Sequence, residues 1–538
     1  MEGRFGLVSF KDGFGLPVGL KSRLFLLLVF GALLWGCACP EKPISDRTAC
    51  GEVLVTSRDP RFRLKDRQRC FSHEYRFIHQ RRENTGLAGF QQGPKPERLV
   101  GLALSGGGIR SNAFQLGILA GLFEAGALKY IDYISSVSGG TWAASAYLFN
   151  EDFFSEVESQ FQEEFRPDPH GYLVYTQGEL VREQWRKGLL KIFLKNQDVP
   201  YEDLADLAIL KDKPYFIFNA THSANIDEMP SYKNFNFQFT KDFVGTVADC
   251  CSDTGKVHCG KWRRLRWTLL EDGMEGGFFV KTGPMARYRL YVNAAMDRKT
   301  FNDDLMLSHA LAASSAVASK LYGFWLQIRE PDQYNGRSWY RQKKLRAKYR
   351  LSDGGKSDNT GALSLMERGT DLIIASQMAA DPNMGFDDLD LLREQAESLF
   401  DFQLNTEKIR KEIAKANKMT VEARYTESPG QRDSSKEGRI LFIKPTYCNI
   451  GPFWAWLDEE NKAGRHLKIT AALEEDWRLS EKAKPGLDRC HASRFPQNPT
   501  ICEKYDPQVI AAYYLLGKFI VAREGVADRI RDFAFRRQ

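Results

Sequence analysis

Two short hydrophobic runs each break off at a cluster of glycines and pass directly into a helical pattern, and this pairing limits the possible folds more than any other feature. Arg98 to Leu104 (RLVGLAL) ends at Gly106-Gly107-Gly108, with a helix predicted from about Ser111 to Ala125. The unit repeats at once: Tyr130 to Val137 reads as a strand, Ser138-Gly139-Gly140 as a tight turn, and Trp142 to Leu148 as a helix. An apolar run bounded by turn signals suits a strand buried on both faces. Strand and helix in alternation build a parallel sheet covered by helices. The expected class is therefore α/β, a three-layer fold with a mainly parallel central sheet flanked by helices.

Beyond Leu148 the pattern turns irregular and aromatic, with Phe153, Phe154, Phe161, Phe165, Tyr172, Tyr175, Trp185 and Phe193 in quick succession. This predicts a large cap-like insertion over residues 149–284, set within a main domain made of 98–148 and 285–538. Regular elements resume with Tyr288 to Asn293, a helix near Leu305 to Leu321, a strand leading into Asp353 and a helix from Asn359 to about Ala375. A long polar helix near Leu391 to Lys418, a strand at Arg439 to Ile443 and a closing helix from Pro507 to about Glu524 complete the chain. Residues 38–97, rich in charge and poor in periodicity, read as a lead-in segment.

At the N-terminus, Lys21 and Arg23 precede an apolar run from Leu24 to Leu34. It is short for a bilayer span and suits the apolar region of a signal peptide, so residues 1–37 read as a signal or anchor. The string Leu34-Trp35-Gly36-Cys37 resembles a bacterial lipobox. That resemblance makes Cys37 the expected lipidation point and implies an exported, membrane-associated protein; a plain signal anchor is the alternative. Ten cysteines in an exported chain predict some disulfide pairing. Cys250, Cys251, His258 and Cys259 match no standard zinc spacing, so no metal site is expected. The 43% hydrophobic and 27% charged composition excludes a globally disordered chain, and the net charge of +7 leans towards anionic partners, a membrane surface as readily as nucleic acid.

The residues suited to chemistry fall on three glycine-rich turns. Ser136-Val137-Ser138-Gly139-Gly140 sits at a strand-to-helix junction. A serine hydroxyl becomes a useful nucleophile when a base takes its proton and a sharp turn holds its oxygen clear of the backbone. Such a turn needs residues with almost no side chain beside it. Gly139 and Gly140 meet that need on one side, while Ser136 stands where the common G-x-S-x-G pattern has glycine. Some thirty residues earlier, Gly106, Gly107 and Gly108 can turn backbone N–H groups into a cleft at a helix N-terminus, suited to an oxyanion. A dinucleotide phosphate loop is the competing reading, but Ser111 replaces its last glycine and no ribose-binding acid follows. Third, Asp353-Gly354-Gly355-Lys356-Ser357-Asp358-Asn359-Thr360-Gly361 places a carboxylate at a strand end beside two glycines, a pattern shared with ordinary exposed turns.

Taken together, SGGGIRS, SVSGGTW and SDGGKSDNTG resemble the patatin-like and cytosolic phospholipase A type superfamily, from about Leu99 to Pro382 and again in the closing segment Tyr505 to Lys518. The resemblance implies the patatin-like version of the three-layer fold and a serine–aspartate pair working without histidine. Ser138 would be the nucleophile, Asp353 the base, and Gly106, Gly107 and Gly108 the oxyanion hole. Arg110 would orient that loop or meet a phosphate. Ala313-Ser314-Ser315-Ala316-Val317 resembles the family's small-residue block beside the site. The implied activity is lipid acyl hydrolysis through an acyl-enzyme, on phospholipid or lysophospholipid at a membrane surface, with no cofactor, no metal and no nucleic acid. An acyltransferase on the same pair, an inactive lipid-binding protein, and a Ser-Asp-His triad using His466 or His491 are the alternatives.

One further pattern bears on membrane contact. In Val181 to Asn196, Val181, Trp185, Leu189, Ile192 and Phe193 recur at helical spacing while Arg182, Arg186, Lys187, Lys191 and Lys195 occupy the remainder. A basic amphipathic helix of this kind either packs its apolar stripe on the domain or touches an anionic bilayer.

Overall fold

The computed structural model describes residues 53–56, 71–87, 96–155, 197–222, 235–246, 277–281, 289–292, 303–316, 324–329, 346–400, 402–415, 418–427, 437–482, 494–499 and 506–535, together with 157, 186, 190 and 194. Residues 1–37 with Cys37, the 250–259 cysteine cluster, His491, Val317, Tyr505 and most of Val181 to Asn196 lie outside these residues. Among the described residues no helix is long and apolar enough to cross a membrane.

A run of parallel strands forms the middle of the sheet. These are β2 (Val100–Leu104), β3 (Tyr133–Val137), β4 (Tyr215–His222), β12 (Leu372–Ser376) and β15 (Glu437–Ile443), arranged β4-β3-β2-β12-β15. Antiparallel strands extend both edges. Beyond β15 lie β14 (Thr420–Glu427) and β13 (Phe402–Leu404). Beyond β4 lie β5 (Phe235–Thr240), β6 (Phe243–Thr246), β7 (Gly277–Lys281) and β1 (Val53–Thr56). A branch also leaves β4 through β11 (Arg346–Asp353) to β10 (Phe324–Arg329), β8 (Arg289–Val292) and the short β9 (Asp303–Asp304).

Side chains of the parallel strands divide between two apolar cores, as strand alternation requires. Leu102, Leu104, Ile134, Phe216, Ile374 and Leu441 enter one core; Ala103, Tyr133, Ile217, Ile373 and Phe442 enter the other. The first is covered by α2 (Gly108–Glu124), α3 (Gly139–Leu148), α4 (Leu307–Ser314), α9 (Gly451–Lys462), α10 (Leu467–Lys482), α11 (Pro507–Arg523) and α12 (Val526–Phe535). The second is covered by α1 (Ser72–Asn84), α6 (Leu363–Glu367), α7 (Asp387–Phe400) and α8 (Thr406–Lys415). A four-residue helix α5 (Gly355–Asp358) follows β11. The result is the three-layer α/β fold with its parallel core. The α2–α11 crossing is close because glycines line it: a Cβ at Gly117 would lie 2.0 Å from Tyr514 O, and one at Gly517 would lie 2.4 Å from Phe114 O.

Three expectations from the sequence need correction. Part of the span expected to be a cap, 149–284, is built into the sheet, since β4 lies beside β3 and carries β5 and β6 with it. The helix expected over 359–375 is instead α6 followed by β12, separated by Gly369 at φ 60°. The polar helix expected over 391–418 is α7 and α8 with β13 between them.

The lead-in reading of 38–97 also changes, because α1 is fastened to the core by buried ion pairs. Arg368 donates from Nε and Nη2 to Glu74 at 2.7 and 2.9 Å, with both side chains 1% exposed. Arg82 makes a similar fork to Asp132 at 2.8 and 2.6 Å, and Asp132 also accepts the Val100 N–H at 2.9 Å. Removing one member of such a pair strands the other charge in the interior, which costs about 3–5 kcal/mol. Glu74→Ala should therefore lower the free energy of unfolding by that amount, whereas Glu407→Ala, whose pair with Lys411 is exposed, should cost less than about 1 kcal/mol. Equal losses in a chemical denaturation series would contradict this.

Candidate active site

The register of the sheet brings the serine and aspartate turns together. Along one edge of β4, Val137 pairs with Asn219 and Asp353 pairs with the next residue, Ala220, while β5 takes the opposite edge. Ser138, the next residue after Val137, thus leaves β3 at the level where β11 ends in Asp353. This edge is the carboxyl end of the parallel strands, where open α/β sheets place ligands.

Ser138 stands at the head of α3 with φ 49° and ψ −119°, and is 4% exposed. A non-glycine residue at positive φ is costly and persists only where its surroundings hold it. Main-chain hydrogen bonds supply that hold: the Ser138 N–H donates to Ser314 Oγ at 3.1 Å, and the Ser138 carbonyl accepts from Thr141 N at 2.9 Å and Trp142 N at 3.3 Å. Gly139 and Gly140 allow the elbow to press against the glycine loop. A Cβ at Gly139 would sit 2.1 Å from Gly108 O, and one at Gly140 would sit 2.3 Å from Leu104 O.

Asp353 is 8% exposed, and its Oδ1 accepts the Gly355 N–H at 2.8 Å. Burial pushes its carboxyl above the ordinary carboxylate range, opposed by hydrogen bonding from Ser138, by the Gly355 N–H and by the charge of Lys356. The Ser138 contact is loose, for Asp353 Oδ2 has no hydrogen bond of strict geometry. Loose pairs of this kind are common before a substrate binds. Among the described residues no histidine acts on this carboxyl. His466 lies on the turn before α10, beside Trp456 and under the influence of Glu460, Arg465 and Lys518.

The glycine loop differs in one respect from expectation. Gly106 is not a free donor, because its N–H is given to Asn359 O at 3.0 Å, and a Cβ there would meet Asn359 Oδ1 at 2.2 Å. Gly107 at φ 137° and Gly108 at φ 65° use backbone angles open to glycine, and their N–H groups have no protein acceptor among the described residues. These two head α2, where the helix end adds partial positive charge. Arg110 is fully buried and donates to Asn498 O, and its Nη2 lies 3.3 Å from where a Cβ at Gly107 would be. It ties the loop to the C-terminal part of the chain.

Residues 102–366 match the family model described as Patatin-like phospholipase, a span that holds both glycine turns, Ser314 and Asp353. These residues are a patatin-like phospholipase domain. Human cytosolic phospholipase A2 gamma is 34% identical to this chain over 67 residues, 12% of each protein. Among solved structures, human GIVD cytosolic phospholipase A2 is similar with TM-score 0.47 and 14% identity, over 92% of this chain and 67% of that one. The same human enzyme in complex with methyl gamma-linolenyl fluorophosphonate gives TM-score 0.45 and 12% identity, over 92% and 66%. The chain thus matches a small part of the curated relative and about two thirds of the solved chains.

Two residues of the patatin-like domain escaped the sequence reading. Asn359 holds Gly106 through its carbonyl and donates from Nδ2 to Asp388 Oδ2 at 3.0 Å. Asn219 fixes the β3 side of the elbow, donating to Ser135 Oγ at 2.9 Å and to Ser136 O at 3.0 Å. Asn359 follows the recognised DGG turn, so its place was readable although its role was not. Asn219 carried no signal, being one polar residue in an aromatic stretch.

Proposed function

We propose that this chain is a lipid acyl hydrolase in which Ser138 and Asp353 act as a pair. The observation that carries the reading is the meeting of a positive-φ serine, a buried carboxylate and two unengaged glycine N–H groups at one edge of the sheet. Asp353 takes the proton of Ser138 Oγ as that oxygen attacks the ester carbonyl. The oxyanion is held by Gly107 and Gly108 N–H, the donors placed where negative charge develops. Collapse breaks the ester C–O bond, and Asp353 returns its proton to the leaving alcohol. Water then attacks the acyl-serine as the same carboxylate takes its proton, the C–O bond to Ser138 Oγ breaks, and Asp353 gives the proton back to Ser138 as the fatty acid leaves.

The proposed substrate is a phospholipid or lysophospholipid taken from a membrane surface. Arg186, one of the basic residues of the 181–196 stretch for which bilayer contact is one of two readings, is engaged internally: its Nη1 donates to Asp198 Oδ2 at 2.9 Å and to Ser308 Oγ at 2.8 Å. Incubation of the purified protein with a mixed lipid extract, with products read by mass spectrometry, tests the reading. Free fatty acid together with the deacylated lipid is the expected result. An unchanged extract would overturn it.

The acid limb of the rate profile follows from the same geometry. Asp353 must be ionised to accept a proton, and burial raises the pH at which it ionises. Hydrolysis of a soluble ester should fall as the medium is acidified through that raised value, at a higher pH than an exposed carboxylate would give. A profile that stays flat down to about pH 4, the range of an unperturbed aspartate, would contradict the assignment.

A further inference from the structure

The hydroxyl contacts beneath the elbow have a fixed direction. Ser314 Oγ lies 2.7 Å from Asn219 O, a carbonyl that can only accept, so the one Ser314 hydroxyl proton points there. Its two other contacts must then be accepted by Ser314 Oγ. These are the Ser138 N–H at 3.1 Å and the Thr141 hydroxyl at 2.8 Å, which makes Thr141 the donor of that pair. One proton and two lone pairs are all that a hydroxyl has, and Ser314 uses every one. It is fully buried, so water does not compete for these bonds.

The main chain of the same turn serves the other half of the site. Ser314 O accepts the Gly354 N–H at 3.1 Å, and two residues on, Ala316 O accepts the Asp353 N–H at 3.1 Å. The end of α4 therefore holds the serine elbow through a side chain and the aspartate turn through carbonyls. Asn219 O is shared as well, for a Cβ at Gly354 would lie 2.3 Å from it. Nothing else among the described residues accepts the Ser138 N–H.

We propose that Ser314 is a positioning residue that keeps Ser138 in its positive-φ turn and sets its distance from Asp353, with the Thr141 hydroxyl acting only through Ser314; the catalytic consequence rests on the serine–aspartate reading above. Ser314 touches no reacting atom. Its loss should slow the chemical step and leave substrate binding alone, because its bonds run to the Ser138 N–H, the Thr141 hydroxyl, Asn219 O and the Gly354 N–H, beneath the elbow.

The test compares wild type, Ser314→Ala, Thr141→Val and the double variant on a soluble short-chain ester, with a crystal structure of Ser314→Ala. Ser314→Ala should lower kcat about 10- to 100-fold, the scale of one lost buried hydrogen-bond partner, with KM within about threefold. Thr141→Val should lower kcat less, and the double variant should be no worse than Ser314→Ala alone. In the crystal, Ser138 should leave the positive-φ region. A Ser314→Ala protein with kcat within about twofold of wild type, or effects of the two substitutions that simply multiply, would overturn the proposal. Should Ser314→Ala fail to fold, Thr141→Val, close to its parent in shape, still reads the kcat and KM split. A wild-type protein that hydrolyses nothing would refute the serine–aspartate reading instead, and the φ angle of Ser138 in the variant would then decide the positioning claim by itself.

Discussion

Ser138→Ala and Asp353→Asn should each reduce ester hydrolysis by about four orders of magnitude or more, and the double variant should be scarcely worse than either. The two groups perform one act, transfer of a proton from oxygen to oxygen with attack on the carbonyl, so removing either removes the act. Asp353 is at the end of β11 and is 8% exposed, and among the described residues no histidine is placed to replace it. Stability should move the other way in Asp353→Asn. A carboxyl whose folded pKa is raised contributes stability that is present in acid, below its unfolded value, and lost as pH rises through the folded value. At neutral pH the ionised Asp353 therefore opposes folding, and the neutral amide should raise Tm. An Asp353→Asn protein that is inactive and less stable than wild type at about pH 7 would point to a structural role for the carboxylate.

The second large effect is expected at the contact between elbow and glycine loop. Gly139→Ala and Gly140→Ala place a Cβ 2.1 Å from Gly108 O and 2.3 Å from Leu104 O, far inside van der Waals contact and against main chain that has no rotamer to change. Either the loop shifts or the elbow opens, and in both cases the Gly107 and Gly108 N–H groups lose their aim at the carbonyl oxygen. Loss of oxyanion donors costs about 10²- to 10³-fold in kcat. Both variants should also lose several degrees of Tm, since overpacking a close contact costs about 1–3 kcal/mol. Gly451→Ala is the control: it begins α9 with nothing within 4 Å of the added carbon, and should leave kcat and Tm nearly unchanged. Wild-type kcat in Gly139→Ala would mean that the two turns do not meet as described.

The parallel core was legible because its strands are short, apolar and cut off by glycines. Pattern alone places RLVGLAL, the run ending in Ser138, and Asp353 at a strand end. What was missed shares a physical cause, namely polar or aromatic residues buried by partners far away in sequence. The alternation Phe235-Asn236-Phe237-Gln238-Phe239-Thr240 is a strand signal, yet Asn236, Gln238 and Thr240 are as buried as Phe237 and Phe239. Asn236 donates to Asn219 Oδ1 and Ser364 Oγ, and Gln238 to Glu367, contacts that periodicity cannot foresee. Helix α1 looked like lead-in for the same reason, its charges being matched by Asp132 and Arg368. Gly369, at positive φ ahead of Leu372–Ser376, was a readable stop that the helical reading of 359–375 passed over.

The site was legible as three turns and not as a network. The glycines named the loop, but which N–H remains available depends on Asn359 O, and that bond takes Gly106 out of the set. In the same way Ser314 stood in a block of small residues whose composition gave its neighbourhood without its hydrogen bonds. Pattern reports which residue types a turn tolerates. Only the folded chain assigns their donors.

Covalent capture during turnover tests the central claim most directly. Wild-type protein mixed with a soluble fatty-acyl ester, quenched in acid within the first turnovers and digested for mass spectrometry, should carry the acyl group on Ser138. Asp353→Asn should carry little, because its serine keeps its proton. An acyl group found on any other residue, or full hydrolysis with no adduct in wild type and in Ser138→Ala alike, would contradict the account.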